Sequence, residues 1–182
     1  NASLAGTLGV AQQAMELGFT IWGDYGLGVY NSQSLKELKR LGFAGATASF
    51  ELKLAQIRDL SKAVPMELIA YGRLPLMITE NCIVYNHAGQ HVCGDGLRLV
   101  DRKGARFPVV KAWGCRNEIL NAKTLFLADK SGDYARSGLW GARLVFTTES
   151  PEDCVRILRR YQGQRGWQPG DYTRGLYYRD VE

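Results

Sequence analysis

The sequence predicts an α/β fold: a partial, (β/α)-barrel-like parallel sheet with an inserted β-hairpin. Three observations predict it. Short apolar runs at 19–22, 44–49, 67–71, 124–128 and 142–147 read as buried strands. Segments with helical spacing fall between several of them on short connections, an alternation that requires parallel pairing and right-handed crossovers. Between about 83 and 112 the rhythm lapses, and two extended runs flank Arg102-Lys103-Gly104-Ala105, which is a hairpin signal.

The individual elements follow from local chemistry. Leu4, Leu8, Ala11 and Met15 share a helical face over 4–17, with Gly18 as the stop. The strand at 19–22 runs into the loop Gly23-Asp24-Tyr25-Gly26-Leu27-Gly28. Ser34 with Glu37 reads as a capping box, and Leu35, Leu38 and Leu41 form the buried stripe of that helix. A strand at 44–49 and a helix at 51–61 follow. The strand at 67–71 breaks at Gly72 and, after Leu76-Met77-Ile78, delivers Thr79, Glu80, Asn81 and Cys82 in a row. Residues 86–91 read as a polar loop, 133–137 as a short helix. Ser150-Pro151-Glu152-Asp153 opens the last helix, with serine as cap, proline in the first turn and acids at the positive end of the dipole.

Composition bounds the function. The 182 residues are 46% hydrophobic and 23% charged, enough for one domain with a core. No apolar run is long enough for a membrane helix, and no secretory signal is visible, so a cytoplasmic protein is expected. A net charge of +5 permits nucleic acid without demanding it. Five strands fall short of the eight of a closed barrel, and the chain opens on a helix with Asn1 in place of Met. These features predict that 1–162 is the rear part of a barrel-like domain cut from a longer protein, with 163–182 as a tail; a complete small open sheet is the alternative.

The candidate chemistry lies at strand ends. Asp24, Glu51, Glu80 and Asp129 each follow a strand, and in a parallel barrel such ends share one rim. Each has a plain structural alternative, as a turn or helix-start residue. Cys154 falls in a first helical turn, where the dipole favours a thiolate, while Cys82, Cys93 and Cys115 fall in or beside loops, where a thiol is exposed to chemistry. Four thiolates suit zinc or an iron–sulfur cluster, yet no Cys-x-x-Cys pair occurs, and four unrelated thiols is the competing reading. His87 and His91 flank the same loop as further donors or as solvated side chains. No serine-nucleophile elbow, His-Glu-x-x-His or phosphate loop is present. Arginines from Arg156 to Arg179 interleave with Tyr161, Trp167, Tyr172, Tyr177 and Tyr178, a pattern that can grip single-stranded RNA or can pack on the domain.

These blocks together resemble a known family. Gly23-Asp24-Tyr25-Gly26 with Tyr30-Asn31, Ser49-Phe50-Glu51-Leu52, Glu67-Leu68 with Tyr71-Gly72-Arg73, Glu80-Asn81-Cys82, the stretch from Arg98 to Val109, Cys115-Arg116-Asn117-Glu118-Ile119-Leu120-Asn121, Phe146-Thr147-Thr148-Glu149 and Cys154 are similar to peptidase family U-32, the collagenase-like proteases. The likeness is to the branch with an additional collagenase-like domain, and it covers the C-terminal part of the catalytic region. It implies a barrel-like fold and peptide-bond hydrolysis, with Asp24, Glu51, Tyr71, Arg73, Glu80 and Asn81 as catalytic candidates and no assigned mechanism. Several relatives hydroxylate RNA bases or quinone precursors and hold a 4Fe–4S cluster on four cysteines. That implies Cys82, Cys93, Cys115 and Cys154 as ligands, Arg116 and Glu118 beside the cofactor, and zinc as an alternative occupant. The stretch from Cys82 to Cys93 is rearranged relative to the compact family pattern. The implied partners are a protein or peptide substrate or RNA, together with the missing N-terminal part, and no membrane. A non-catalytic RNA-binding module is the third class of function.

Overall fold

The computed structural model describes residues 1–90, 96–164 and 166–179. Its elements in order are β1 (Ala2–Ala5), α1 (Leu8–Glu16), β2 (Thr20–Gly23), α2 (Ser32–Arg40), β3 (Gly45–Thr47), α3 (Leu54–Asp59), β4 (Met66–Gly72) and β5 (Pro75–Thr79). Then come α4 (Ile83–Ala88), β6 (Arg98–Val100), β7 (Arg106–Lys111), β8 (Asn117–Leu120), β9 (Thr124–Phe126), α5 (Ser131–Ala135), β10 (Gly141–Leu144), α6 (Pro151–Tyr161) and β11 (Tyr172–Thr173). No helix among the described residues is long and apolar enough to cross a membrane.

The protein is a mixed α/β fold. In the main sheet β1, β2, β3 and β4 pair in parallel in that order, and β10 also pairs with β4 in parallel. A smaller antiparallel sheet has the order β5-β8-β7-β6. All seven residues of β4 are buried, as a strand covered on both faces must be.

Several sequence expectations are corrected. A strand does precede the first helix: β1 pairs with β2 from Ala2↔Thr20 to Ala5↔Gly23. The helix starts at Leu8, where the Thr7 hydroxyl caps Val10, not at residue 4. Asn31, not Ser34, caps α2; its side chain accepts from the N–H groups of Gln33 and Ser34 at 3.0 and 2.9 Å. The strand near 124 runs antiparallel to β4, with Tyr71↔Phe126 in register. Part of the loop expected at 86–91 is instead the end of α4. Two calls hold closely. The hairpin turn is closed by the Asp101 carboxylate, which accepts from Lys103 and Ala105 N–H at 2.8 Å each. Ser150 caps α6 with Pro151 in its first turn.

Alternation along each strand divides the main sheet into two faces. Ala5, Ile21, Ala46, Leu68 and Ala70 are buried in the apolar core with Ala11 of α1 and Leu35 and Leu38 of α2. Leu4, Trp22, Gly45, Thr47, Glu67, Ile69, Tyr71 and Arg143 take the opposite face. Gly45 is required there, because the Trp22 ring lies where a Cβ would project. The Trp22 ring packs at a tilt 4.8 Å from that of Trp140, and its buried indole N–H has no acceptor among the described residues. The C-terminal segment packs back on the domain: buried Tyr177 donates its hydroxyl to Ile69 O at 2.9 Å and accepts from Leu54 N–H at its carbonyl.

Candidate functional site

Parallel strands deliver their carboxyl ends to one rim. Asp24 follows β2, Glu51 lies just past β3, Tyr71 and Arg73 end and follow β4, and Thr147 to Ser150 follow β10. Of the sequence candidates, Asp24, Glu51, Tyr71 and Arg73 lie at or just beyond the carboxyl ends of β2, β3 and β4.

Asp24 is the most constrained. Its Oδ1 accepts from the Tyr25 N–H at 2.7 Å and from Arg143 at 2.6 Å. Arg143 also donates to Thr47 Oγ1 at 2.7 Å and pairs with Glu67, whose carboxylate accepts from the Thr47 hydroxyl at 2.9 Å. One guanidinium therefore ties two carboxylates and a hydroxyl, from β4, β3 and the residue after β2, into a partly buried network. Sequence reasoning found Asp24, quoted Glu67 in the resemblance without singling it out as a site residue, and missed Arg143. The available signal was a lone charge inside each of two apolar strand runs.

Around this network lie phenols. Burial raises the Tyr25 pKa, and the charges of Asp24 and Glu118 add to the effect against the opposing Arg143. The exposed Tyr30 hydroxyl donates to Glu51, and this hydrogen bond raises the Tyr30 pKa. Tyr71 is buried and donates to Glu149 Oε1 at 3.1 Å, while Glu149 Oε2 accepts from Thr147 and Thr148 N–H at 2.7 and 3.0 Å. Burial first, and then Glu149, drives the Tyr71 pKa upward. Glu149 was quoted in the resemblance but not singled out as a site residue. Arg73 turns away from these groups and donates to the Asn121 carbonyl at 2.9 Å and to that of Ala122.

A cleft of about 890 Å³ opens between this rim and the smaller sheet. Arg98, Arg106 and Lys111 line one side, and Arg73, Thr147 and Glu149 the other. Cations outnumber acids in this lining, so the cleft favours anionic or polar ligands over purely apolar ones.

The remaining candidates lie at the far end of the smaller sheet. Glu80 pairs with Arg116 Nε at 2.9 Å through both carboxylate oxygens, and Arg116 stacks 5.6 Å from the exposed Trp113 ring. Asn81 is exposed. Cys82 is buried and caps α4, accepting from the Tyr85 N–H at 3.4 Å. Ile83 N–H donates to Asn117 Oδ1 at 2.6 Å, which fixes the residue after Cys82 to the residue two beyond Cys115. Cys115 has φ +65°, and among the described residues it is the one non-glycine in the left-handed region. Cys82 and Cys115 thus share one corner. Cys154 is half-buried in the first turn of α6, whose cap Ser150 lines the cleft. Cys93 lies outside the described residues, as does His91. Among the described residues no three His, Cys, Asp or Glu side chains are grouped to hold a metal ion.

No protein-family model, no curated protein and no solved structure matches the chain.

Proposed function

We propose that this chain is the rear part of a barrel-like catalytic domain of a collagenase-like enzyme of the peptidase U-32 type, and that it hydrolyses peptide bonds at the rim where β2, β3, β4 and β10 end. The observation that supports the reading is that Asp24, Glu51 and Tyr71, quoted from separate blocks of the resemblance, lie at or just past the carboxyl ends of β2, β3 and β4. Leu4 on the edge strand β1 is 48% exposed and Trp140 is 69% exposed, apolar surface that further strands of a barrel would cover. In this reading Asp24, held by Arg143, and Glu51, within reach of the Tyr30 phenol, are the acid–base candidates. The test is cleavage of gelatin and of extended peptides by the full-length protein across divalent metals. Cleavage that disappears in Glu51→Gln supports the reading, and no cleavage with any metal removes it.

A second reading is favoured by the shared corner of Cys82 and Cys115 and by the left-handed backbone at Cys115, since strained non-glycine backbone gathers at functional sites. Here Cys82, Cys93, Cys115 and Cys154 hold a 4Fe–4S cluster, zinc being the alternative occupant, in an enzyme that hydroxylates an RNA base or a quinone precursor. When bound, the cluster would supply one-electron chemistry, and this chain's basic cleft would seat the anionic substrate beside it. Anaerobic purification with iron and sulfide analysis decides between the two. A colourless protein that cannot be reconstituted removes the second.

A further inference from the structure

The cleft between the rim and the smaller sheet carries charge that no group of the described chain neutralises. Register pairs Arg98 of β6 with Pro108 of β7, and Val100 with Arg106, so Arg98 and Arg106 are diagonal neighbours on one face of the hairpin. Both line the cleft, and Lys111 at the end of β7 adds a third cation. Among the described residues none of the three has an ion-pair or hydrogen-bond partner. Like charges held this close without a counter-ion repel, so the hairpin gains no stability from them. Glu149 is the one acid among the described lining residues. Its oxygens already accept from the Tyr71 hydroxyl and from Thr147 and Thr148 N–H, so they are not available to the hairpin. Arg73, on the opposite wall, donates to the Asn121 and Ala122 carbonyls, and its charge has no carboxylate beside it.

We infer that this cleft binds the diphosphate group of a small phosphorylated ligand. Charge selects the class. A terminal phosphate carries up to about two negative charges and a carboxylate one, so the three free cations with Arg73 are matched by a diphosphate and left in excess by a mono- or dicarboxylate. Arginine suits the role because its planar fork donates two parallel hydrogen bonds to phosphate oxygens. Leu97, Pro108 and Val110 line the same cleft and offer apolar contact to the organic part of the ligand. At about 890 Å³ the cleft has the size of a small-molecule pocket. A polymeric anion needs a track of free cations that runs on beyond it. The arginines of α6 and the C-terminal segment do not supply one: Arg174 pairs with Asp129, Arg160 donates to the Trp167 carbonyl, and Arg156 pairs with Asp153. Arg102 and Lys103, at the hairpin turn, lie outside the lining. Such a site stands whether the rim hydrolyses peptides or the cysteines hold a cluster.

Isothermal titration of the purified chain with inorganic pyrophosphate at low salt provides the test. Citrate, an anion of similar charge without phosphorus, and oligouridylate are titrated alongside. Two double variants are compared with the unaltered chain: Arg98→Gln with Arg106→Gln, and Arg102→Gln with Lys103→Gln. All four side chains are exposed, so both variants are expected to keep the fold, which circular dichroism verifies. The expected result is saturable binding of pyrophosphate, weakened about tenfold or more without Arg98 and Arg106 and less than about twofold without Arg102 and Lys103. Citrate should bind about tenfold more weakly than pyrophosphate. No saturable binding overturns the inference, as does binding that the loss of Arg98 and Arg106 leaves intact. Citrate bound as tightly as pyrophosphate overturns the assignment to phosphate. Oligouridylate that binds more tightly than pyrophosphate, and weakens equally in both variants, overturns it in favour of a nucleic-acid track. Peptide turnover by the full-length protein does not enter any of these readings, so failure here leaves the peptidase reading to its own test.

Discussion

The two sheets differ in what holds them. In the main sheet β4 is buried over its whole length and packs, with β2 and β3, against α1 and α2 through Ile21, Leu35, Leu38 and Leu68. In the smaller sheet only Val109, Ile119 and Leu120 are buried apolar strand residues, and β5 and β6 are exposed. Its order comes from backbone pairing, from Asn117 and from the Glu80–Arg116 pair. Apolar burial contributes about 25 cal/mol per Å², so the main sheet carries the stability, and the smaller one is free to place polar, thiol and basic groups where a ligand meets them. The contrast teaches that the rim chemistry sits on a rigid base and faces a lightly anchored cover.

The sharpest way to break this comparison is truncation in the two sheets. Leu68→Ala should lower the unfolding free energy in urea by about 3–5 kcal/mol, because a fully buried leucine leaves a cavity. A loss below about 1 kcal/mol would mean that the main sheet is not the core. Next is Arg143→Met, expected to cost about 2–4 kcal/mol because Asp24 and Glu67 lose their shared cation; adding Glu67→Gln should restore part of that loss.

A smaller effect tests the phenols that tie the tail and α6 to the sheet. Tyr161 donates to Ala70 O at 2.7 Å and accepts from Leu127 N–H at 3.0 Å, so Tyr161→Phe should cost about 1–3 kcal/mol. Burial raises the pKa of Tyr71, Tyr161 and Tyr177 above the ordinary 10.0. A raised value means that the folded chain keeps protons that the unfolded chain releases. The associated stability is complete below about pH 10 and is lost as pH rises from there toward the folded-state values. Urea midpoints measured from pH 8 upward should therefore fall on the alkaline side, and less steeply in Tyr161→Phe. The smallest expected change is Ile78→Ala on β5, within about 0.5 kcal/mol, since that side chain already faces solvent.

Much of the main sheet was legible, because buried strands write themselves as apolar runs and capped helices as Ser-Pro-Glu-Asp or Gly punctuation. The strand β1 was not, since Ala-Ser-Leu-Ala is neither β-branched nor strongly apolar, and the four-residue spacing of Leu4 and Leu8 mimics a helix. The direction of β9 was hidden because alternation is the same for parallel and antiparallel neighbours. At the site, Asp24 and Glu51 could be found from their places after strands. Glu67 and Arg143 could not be joined in advance, because nothing in their spacing says that β4 and β10 are neighbours. The corner shared by Cys82 and Cys115 depends likewise on the pairing of β5 with β8, which no local pattern announces.

The central claim is that the rim after β2 and β3 performs peptide hydrolysis. Its most direct measurement is turnover of labelled extended peptides by the full-length protein, compared among the unaltered protein, Glu51→Gln and Arg156→Gln, the last an exposed residue on α6. The account predicts cleavage that Glu51→Gln abolishes and Arg156→Gln leaves unchanged. Turnover that persists undiminished in Glu51→Gln, or an unaltered protein that cleaves nothing with any divalent metal, would contradict it.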